Sequence, residues 1–521
     1  MRTRGEGSMD AMKRDLDRAD PRDDLRADAA PIPREIELKL EIDSHGASAL
    51  LDHPLLRDAW SEPAQSSSVY YDTRKGVLRA AGISLRVRRI GDLFVQTLKS
   101  GARAAGGLFD RKEWEAPIDG PEPEFDRLRE VEPVLGQASV RRALKPVYET
   151  RIRRRACMLD RDGARIELVI DEGEVVAGKR RQDLAEIELE LIHGPASALF
   201  ALARELQTHI PLKLGMMTKS ERGARLASGK ALRAAKAETV RLSADMNAAE
   251  GFRTIALACL RHFSANETLV IAVRDVDALH QSRVALRRLR SAFSLFKPIL
   301  AGPGLDRFRQ ELRALSATLG EARNLDVLLS RRSEELPKDI RRKLVDQRSR
   351  AYDQAIATLK SPDVRAMMID LTEWIALTGA GPGGDEPLPQ FADAVLARFW
   401  KKVRRKGKVL RTLDDEERHE LRIAGKKLRY AGEFFARLYA DADRIAVRDS
   451  FLAAMEDLQE NLGGLNDLVT EHALARELAR RGIKLPRHDR KATNASRSRL
   501  VAASEQAYRQ LADVGRFWRA R

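Results

Sequence analysis

The chain has 521 residues, enough for two to four domains that each build a core. A net charge of +16 and a pI near 9.9 call for an anionic partner such as nucleic acid, a phosphate polymer or an acidic membrane surface, while aromatics at only 5% argue against base stacking on single strands. No apolar run is long enough to span a bilayer and the charged N-terminus has no signal-peptide core, so a cytoplasmic protein is expected; Cys157 and Cys259 fit no metal-ligand spacing and read as packed, reduced thiols.

Residues 1–32 are rich in Arg, Asp and Ala and read as a disordered leader closed by Pro31 and Pro33. Residues 33–228 then alternate with the period of a strand. In Glu35-Ile36-Glu37-Leu38-Lys39-Leu40 the charged residues share one face and the aliphatics the other, and Glu186-Ile187-Glu188-Leu189-Glu190-Leu191 repeats the pattern. Similar alternation marks the stretches around Arg86 and Arg88, Lys99, Arg111 and Glu113, Arg151 and Arg153, and 165–171, the last followed by a turn signal at Glu172-Gly173. Carboxylate-bearing faces cannot be packed dry without partners. An antiparallel sheet with those faces inward closes into a barrel with a polar lumen, its apolar outer face covered by helices from about 46–58 and 195–209. Arg86, Arg88, Lys99, Arg111, Arg151 and Arg153 supply its cations, and Glu35, Glu37, Glu113, Glu188 and Glu190 its anions. Hard oxygen ligands of this kind suit Mg2+ or Mn2+, and the cations suit a phosphate chain carrying that metal; the competing reading is a surface sheet laced with salt bridges.

Residues 229–245 read as a helical or mixed linker, and from 246 to 521 the period becomes that of a helix, as in Phe252, Ile255, Ala256, Cys259, Leu260 and Phe263. A Gly/Pro-rich break at 379–384 divides this half into two repeats, about 246–378 and 390–521. Each has an Asp (Asp275, Asp414) five residues before a His (His280, His419), with cations at +3, +7, +8 and +10. Each has a later Leu-Gly near Asn. The histidines lie 139 residues apart and Gly320 and Gly463 lie 143 apart, which marks an internal duplication. His280, Arg283, Arg287 and Arg290 fall in one helical stripe, apart from the apolar Leu286, Leu289, Phe293 and Phe296. Like charges at i+4 destabilise a helix, so the stripe calls for an anion unless it is a solvated basic face, and Arg forks match phosphate oxygens.

These residues carry a resemblance. Glu35-Ile36-Glu37-Leu38-Lys39 resembles the ExExK signature of the CYTH superfamily, the triphosphate tunnel metalloenzymes, and Arg86/Arg88, Lys99, Arg111/Glu113, Arg151/Arg153, Glu186/Glu188/Glu190 and Lys219-Ser220 resemble its later elements in order. Residues 246–521 resemble a CHAD domain, a duplicated helical module associated with polyphosphate. The resemblance implies an α+β chain, with an N-terminal antiparallel eight-stranded tunnel barrel flanked by helices and then an all-α duplicated helical bundle. It implies hydrolysis of inorganic triphosphate, or a related short polyphosphate or organic triphosphate, with Mg2+ or Mn2+. Glu35, Glu37, Glu188 and Glu190 would hold the metal, with Glu186 beside them and Asp171 after a strand where an acidic residue is expected. Lys39, Arg86, Arg88, Lys99, Arg111, Arg151, Arg153 and Lys219 would hold the phosphates, and Lys39 would also orient water, making Lys39, Glu35 and Glu37 the catalytic group. In the helical domain His280, Arg283, Arg287, Arg290, Arg323, His419, Arg422, Lys426 and Arg429 would line a polyphosphate surface, consistent with association with polyphosphate granules. Two other readings are a non-catalytic granule-targeting protein and a tunnel-class adenylyl cyclase, the latter without any adenine-recognition signal. No membrane partner is expected, nucleic acid is disfavoured, and the oligomeric state is open.

Overall fold

Alternation of charged and aliphatic residues is what closes the N-terminal sheet. In the computed structural model residues 34–519 are described, except 127, 301, 303, 333, 379, 380 and 487–489; the expected leader, 1–32, lies outside them. The chain divides into two compact units, Met1–Ala231 and Leu232–Arg521.

The first unit holds β1 (Arg34–Glu41), β2 (Ala64–Thr73), β3 (Ser84–Ile90), β4 (Leu93–Ala105), β5 (Leu108–Ile118), β6 (Leu144–Arg161), β7 (Ala164–Ala177), β8 (Arg180–His193) and the two-residue β9 (Lys213–Leu214). All pairings are antiparallel, in the order β5-β4-β3-β2-β6-β7-β8-β1, and β1 returns to β5, so eight strands close on themselves. Closure removes the sheet edges. β1 pairs with β5 through Leu38 and with β9 at Leu40 and Glu41. The aliphatic residues of β1, β7 and β8 point outward and are fully buried: Leu38, Leu40, Ile166, Leu168, Ile187 and Leu189. α1 (Ser44–Leu51) and α2 (Ser197–Gln207) pack on this face. A second outer cluster joins Leu85 of β3 and Leu98 of β4 to Leu78, Leu128, Leu135 and Val140 of short helices. α3 (Lys219–Ser228) sets Ala224, Leu226 and Ala227 against Tyr70, Tyr148, Val175 and Ala177.

One turn expectation is corrected. β7 runs on through Glu172 and Gly173 to Ala177, and the turn falls at Gly178 and Lys179. Gly173 pairs with Ile152 at φ 158°, and a Cβ there would lie 1.9 Å from the Arg151 carbonyl oxygen, so this glycine serves a close strand approach.

In the second unit, residues 232–243 form no helix. They lie along α4 (Ala248–Val273), where the Asn266 side-chain nitrogen donates to the Ala235 carbonyl at 3.0 Å and Val240 and Leu242 are buried. α5 (Val276–Leu295), α6 (Gly304–Arg332), α7 (Lys338–Lys360) and α8 (Pro362–Glu373) follow, then α9 (Leu388–Gly407), α10 (Asp415–Phe435), α11 (Ala442–Arg480) and α12 (Arg490–Asp513). The paired aspartates cap equivalent helices: Asp275 accepts from the Ala278 N–H ahead of α5, and Asp414 from the Glu417 N–H ahead of α10. Leu286, Leu289, Phe293 and Phe296 are buried, as their stripe requires. The Phe296 ring stacks on Phe391 of α9 at 4.7 Å and lies 5.9 Å from Phe435 of α10, so both halves share one core. Cys157 and Cys259 are free and buried, and burial pushes both thiols up, to about 12 and about 11.

Candidate active site

Residues opposite one another on neighbouring strands share a face, so the register assembles the inner surface of the barrel row by row. One row runs Glu41, Glu186, Asp171, Arg154 across β1, β8, β7 and β6; the next runs Lys39, Glu188, Val169, Ala156; a third runs Glu37, Glu190, Glu167, Met158. On the other side of β1, Glu35 faces Arg111, and Lys99 pairs with Glu113. Arg86 is paired with Tyr70, and Tyr70 with Tyr148.

Most of these groups join one ionic network, with Arg86 and Glu115 paired beside it. Lys39 bonds Glu188 and lies 3.3 Å from Glu37 and 3.9 Å from Glu186. Arg111 bonds Glu35 at 2.9 Å and also bonds Glu37; Lys99 reaches Glu35 at 2.8 Å and Glu113 at 2.9 Å. Arg154 grips Asp171 with two bonds of 2.8 and 2.7 Å and lies 3.3 Å from Glu188. Lys219 lies 2.7 Å from Asp171, 2.6 Å from Glu186 and 2.8 Å from Glu188. Arg86 lies 3.5 Å from Glu115, whose carboxylate accepts from the Thr97 hydroxyl at 2.6 Å.

Ionisation follows from these neighbours. Burial raises Asp171, but Arg154 and Lys219 outweigh it and bring the carboxyl to about 2. Burial likewise opposes the ionisation of Glu35 and Glu188, yet Lys99 and Arg111 hold the first below the usual range and Lys219, Lys39 and Arg154 the second. Glu190 goes the other way: burial, with Glu35 and Glu167 nearby, pushes it up to about 8. Burial, with Arg86 and Arg154 nearby, brings Arg88 down to about 10. The barrel thus holds a cationic region around Arg86 and Arg88 and a carboxylate region deficient in cations around Glu190.

Asp171, Glu186 and Glu188 offer carboxylate oxygens within 4.8 Å of one another. An all-carboxylate set of this size fits a hard divalent cation such as Mg2+ or Mn2+. Of the four carboxylates expected to hold metal, Glu188 stands in this triad, Glu35 and Glu37 are held by Lys99 and Arg111, and Glu190 lies one row further.

Two expected lumen residues are elsewhere. Arg151 and Arg153 lie on the outer face with side chains 51% and 48% exposed, the first paired with Glu149 and Glu174 and the second with Glu172. Tyr148, Thr150, Ile152 and Arg154 form the inward phase of β6, which puts Arg154 where those two were expected. The run Arg153-Arg154-Arg155 fits either phase, and both Arg153 and Arg154 face an acidic residue; what separates them is burial, Asp171 being fully buried and Glu172 partly exposed. Tyr70, Glu41, Glu115, Glu167 and Arg222 are among the inner groups that the alternation alone does not single out; Arg222 bonds Glu41.

In the second unit the cations gather across the duplication. Burial and the Arg323, Arg287 and Arg283 guanidiniums push His280 down to about 4. Burial and Arg287 and Arg323 bring Arg283 to about 10. Burial and Arg287, Arg422 and Arg429 bring Lys426, on the other repeat, to about 7. The Arg287 Nε donates to the Tyr430 hydroxyl of α10 at 2.9 Å. Arg290 belongs to a separate group with Arg309, Arg313 and Lys427; Arg429 pairs with Glu433 at 2.5 Å; and His419 is exposed, its Nδ1 2.9 Å from the Asn466 side-chain oxygen. The two histidines of the duplication therefore occupy different environments.

Residues 33–224 match the CYTH domain family and residues 254–476 match the CHAD domain family. The inorganic triphosphatase of Haemophilus influenzae is 28% identical over 162 residues, which are 31% of this chain and 46% of that protein, so the match spans less than half of the relative. The crystal structure of the CHAD domain from the plant Ricinus communis is 28% identical and covers 54% of this chain and 98% of that one, with a TM-score of 0.45. A putative adenylyl cyclase from Hippeastrum, described as having a dominant triphosphatase activity, is 22% identical and covers 38% and 97%, with a TM-score of 0.29. Among the described residues no helix is long and apolar enough to cross a membrane.

Proposed function

The chain joins a CYTH domain to a CHAD domain, and on that premise we propose that its barrel hydrolyses inorganic triphosphate, or a related short phosphate chain, with Mg2+ or Mn2+. The observation that carries this is the convergence of Lys39, Arg86, Arg88, Lys99, Arg111, Arg154 and Lys219 with at least eight carboxylates on one enclosed surface. Phosphoryl transfer asks little covalent work of a protein; it asks for charge neutralisation and in-line positioning. Arg86, Arg88 and Lys219 would bind the phosphate oxygens, Arg154 would hold Asp171 in place, and Lys39, between Glu37 and Glu188, would orient water. Asp171, Glu186 and Glu188, joined by Glu35, Glu37 and Glu190, would hold the metal. Once bound, the cation supplies Lewis-acid polarisation of a phosphoryl oxygen and a more acidic water.

The cations on both repeats of the second unit support polyphosphate as that domain's ligand: burial, and after it mutual repulsion, depresses Arg283, Arg422 and Lys426, and a chain of regularly spaced anions relieves that repulsion. The test is phosphate release from inorganic triphosphate by the purified chain. Release with Mn2+ or Mg2+ that stops with EDTA is the expected result. No release from the folded protein with either ion, or cyclic AMP formed from ATP as the main product, overturns the proposal.

A further inference from the structure

Lys219 opens α3 and touches every member of the carboxylate triad. Lys39 reaches only Glu186 and Glu188 of the three, and Arg154 only Asp171 and Glu188. The helix that carries Lys219 is seated with little freedom. Tyr148 stacks on Tyr70, with centroids 4.7 Å apart, and its hydroxyl donates to the Ser220 carbonyl at 2.9 Å. Gly223 lies on the Tyr148 ring, where a Cβ would come within 2.1 Å. A capping box between Thr218 and Glu221 fixes the first turn.

We infer that Lys219 is a tethered counter-ion: its ammonium occupies the space between Asp171, Glu186 and Glu188 that a divalent cation would take, competes with that cation, and moves to a phosphate oxygen when metal and substrate enter together. This rests on the triad being the metal site under the function proposed above. The reason is electrostatic. Three carboxylates, two of them buried and the third largely so, need a cation at close range, an ammonium 2.6–2.8 Å from all three satisfies them, and a divalent ion at the same place cannot share it with that ammonium. A phosphate chain gives Lys219 an alternative partner, so substrate and metal strengthen each other's binding, and the coupling is reciprocal.

The test needs no turnover. The full chain is titrated with Mn2+ in the absence of any phosphate, free Mn2+ being read by electron paramagnetic resonance, for the native protein, Lys219→Met and Gly223→Ala. Lys219→Met is expected to bind Mn2+ about tenfold more tightly, within the usual range for coupled sites. Gly223→Ala keeps the lysine but presses a methyl into the Tyr148 ring, withdraws α3, and is expected to shift the same way by a smaller factor; it carries the test if Lys219→Met does not fold. A residue that merely props up the fold would weaken metal binding when removed. Affinity unchanged or weaker in the folded variants overturns the inference, whatever the triphosphatase assay gives. Tighter Mn2+ binding without triphosphate hydrolysis would leave the counter-ion role standing and remove the proposed reaction.

Discussion

Lys426 is a lysine that burial and three guanidiniums have brought to the edge of neutrality at physiological pH, at about 7. Bound polyanion favours its charged form, so the free protein must take up a proton on binding above that pH. Lys426 is charged below about 7 and loses charge above it, and polyphosphate affinity is therefore expected to fall from pH 6 to pH 8. Lys426→Arg stays charged throughout and should flatten that profile. His280, brought to about 4 by burial and the neighbouring guanidiniums, is neutral in the free protein over the whole window. Polyphosphate binding measured at both pH values checks this; an identical slope in Lys426→Arg would contradict it.

At the scale of elements, the duplication expresses itself in its caps and its core. Asp414 accepts from the Glu417 N–H while Glu417 returns a bond to the Asp414 N–H, and replacing such a cap with Ala costs about 1 kcal/mol. Asp414→Ala and Asp275→Ala should each lower stability by about that amount in urea melts. Phe296 touches α9 and α10 as well as Phe252 of α4, so Phe296→Ala should cost about 3–5 kcal/mol and loosen both repeats together. A melt in which only one repeat is lost would contradict a shared core. Much at this scale was legible in the sequence: the capping aspartates, the apolar stripe of α5 and the charged faces of β1 and β8 each follow from a short-range pattern. The phase of β6 was not, because Arg153, Arg154 and Arg155 are equivalent until the partner strand is known. Gly173 gives a turn signal in the sequence because an isolated glycine marks a close backbone approach as readily as a bend, and only the Arg151 carbonyl opposite distinguishes them.

For the molecule as a whole, positive charge is arranged in two different ways. The barrel balances its inner cations with carboxylates, giving a site suited to a metal and a short anion. The helical unit sets cations from both repeats against each other, which is what the proposed long anion would relieve. The sequence carried that division in its change of period near residue 246 and in the spacing of the repeated histidines. It did not reveal that Arg287 and Lys426 converge while His419 stays apart, since that depends on how the two halves pack.

The proposed hydrolysis belongs to the inner face of the barrel and not to its charged exterior. Arg154 and Arg151 test it on a single strand, one inside against Asp171 and Glu188, the other outside against Glu149 and Glu174. Triphosphate hydrolysis with Mn2+ should fall at least about a hundredfold in Arg154→Ala, as expected for losing a preorganised cation in such a site. Arg151→Ala, which loses only exposed ion pairs, should keep its rate within about twofold. Equal losses in two folded variants, or a larger loss in Arg151→Ala, would contradict the account.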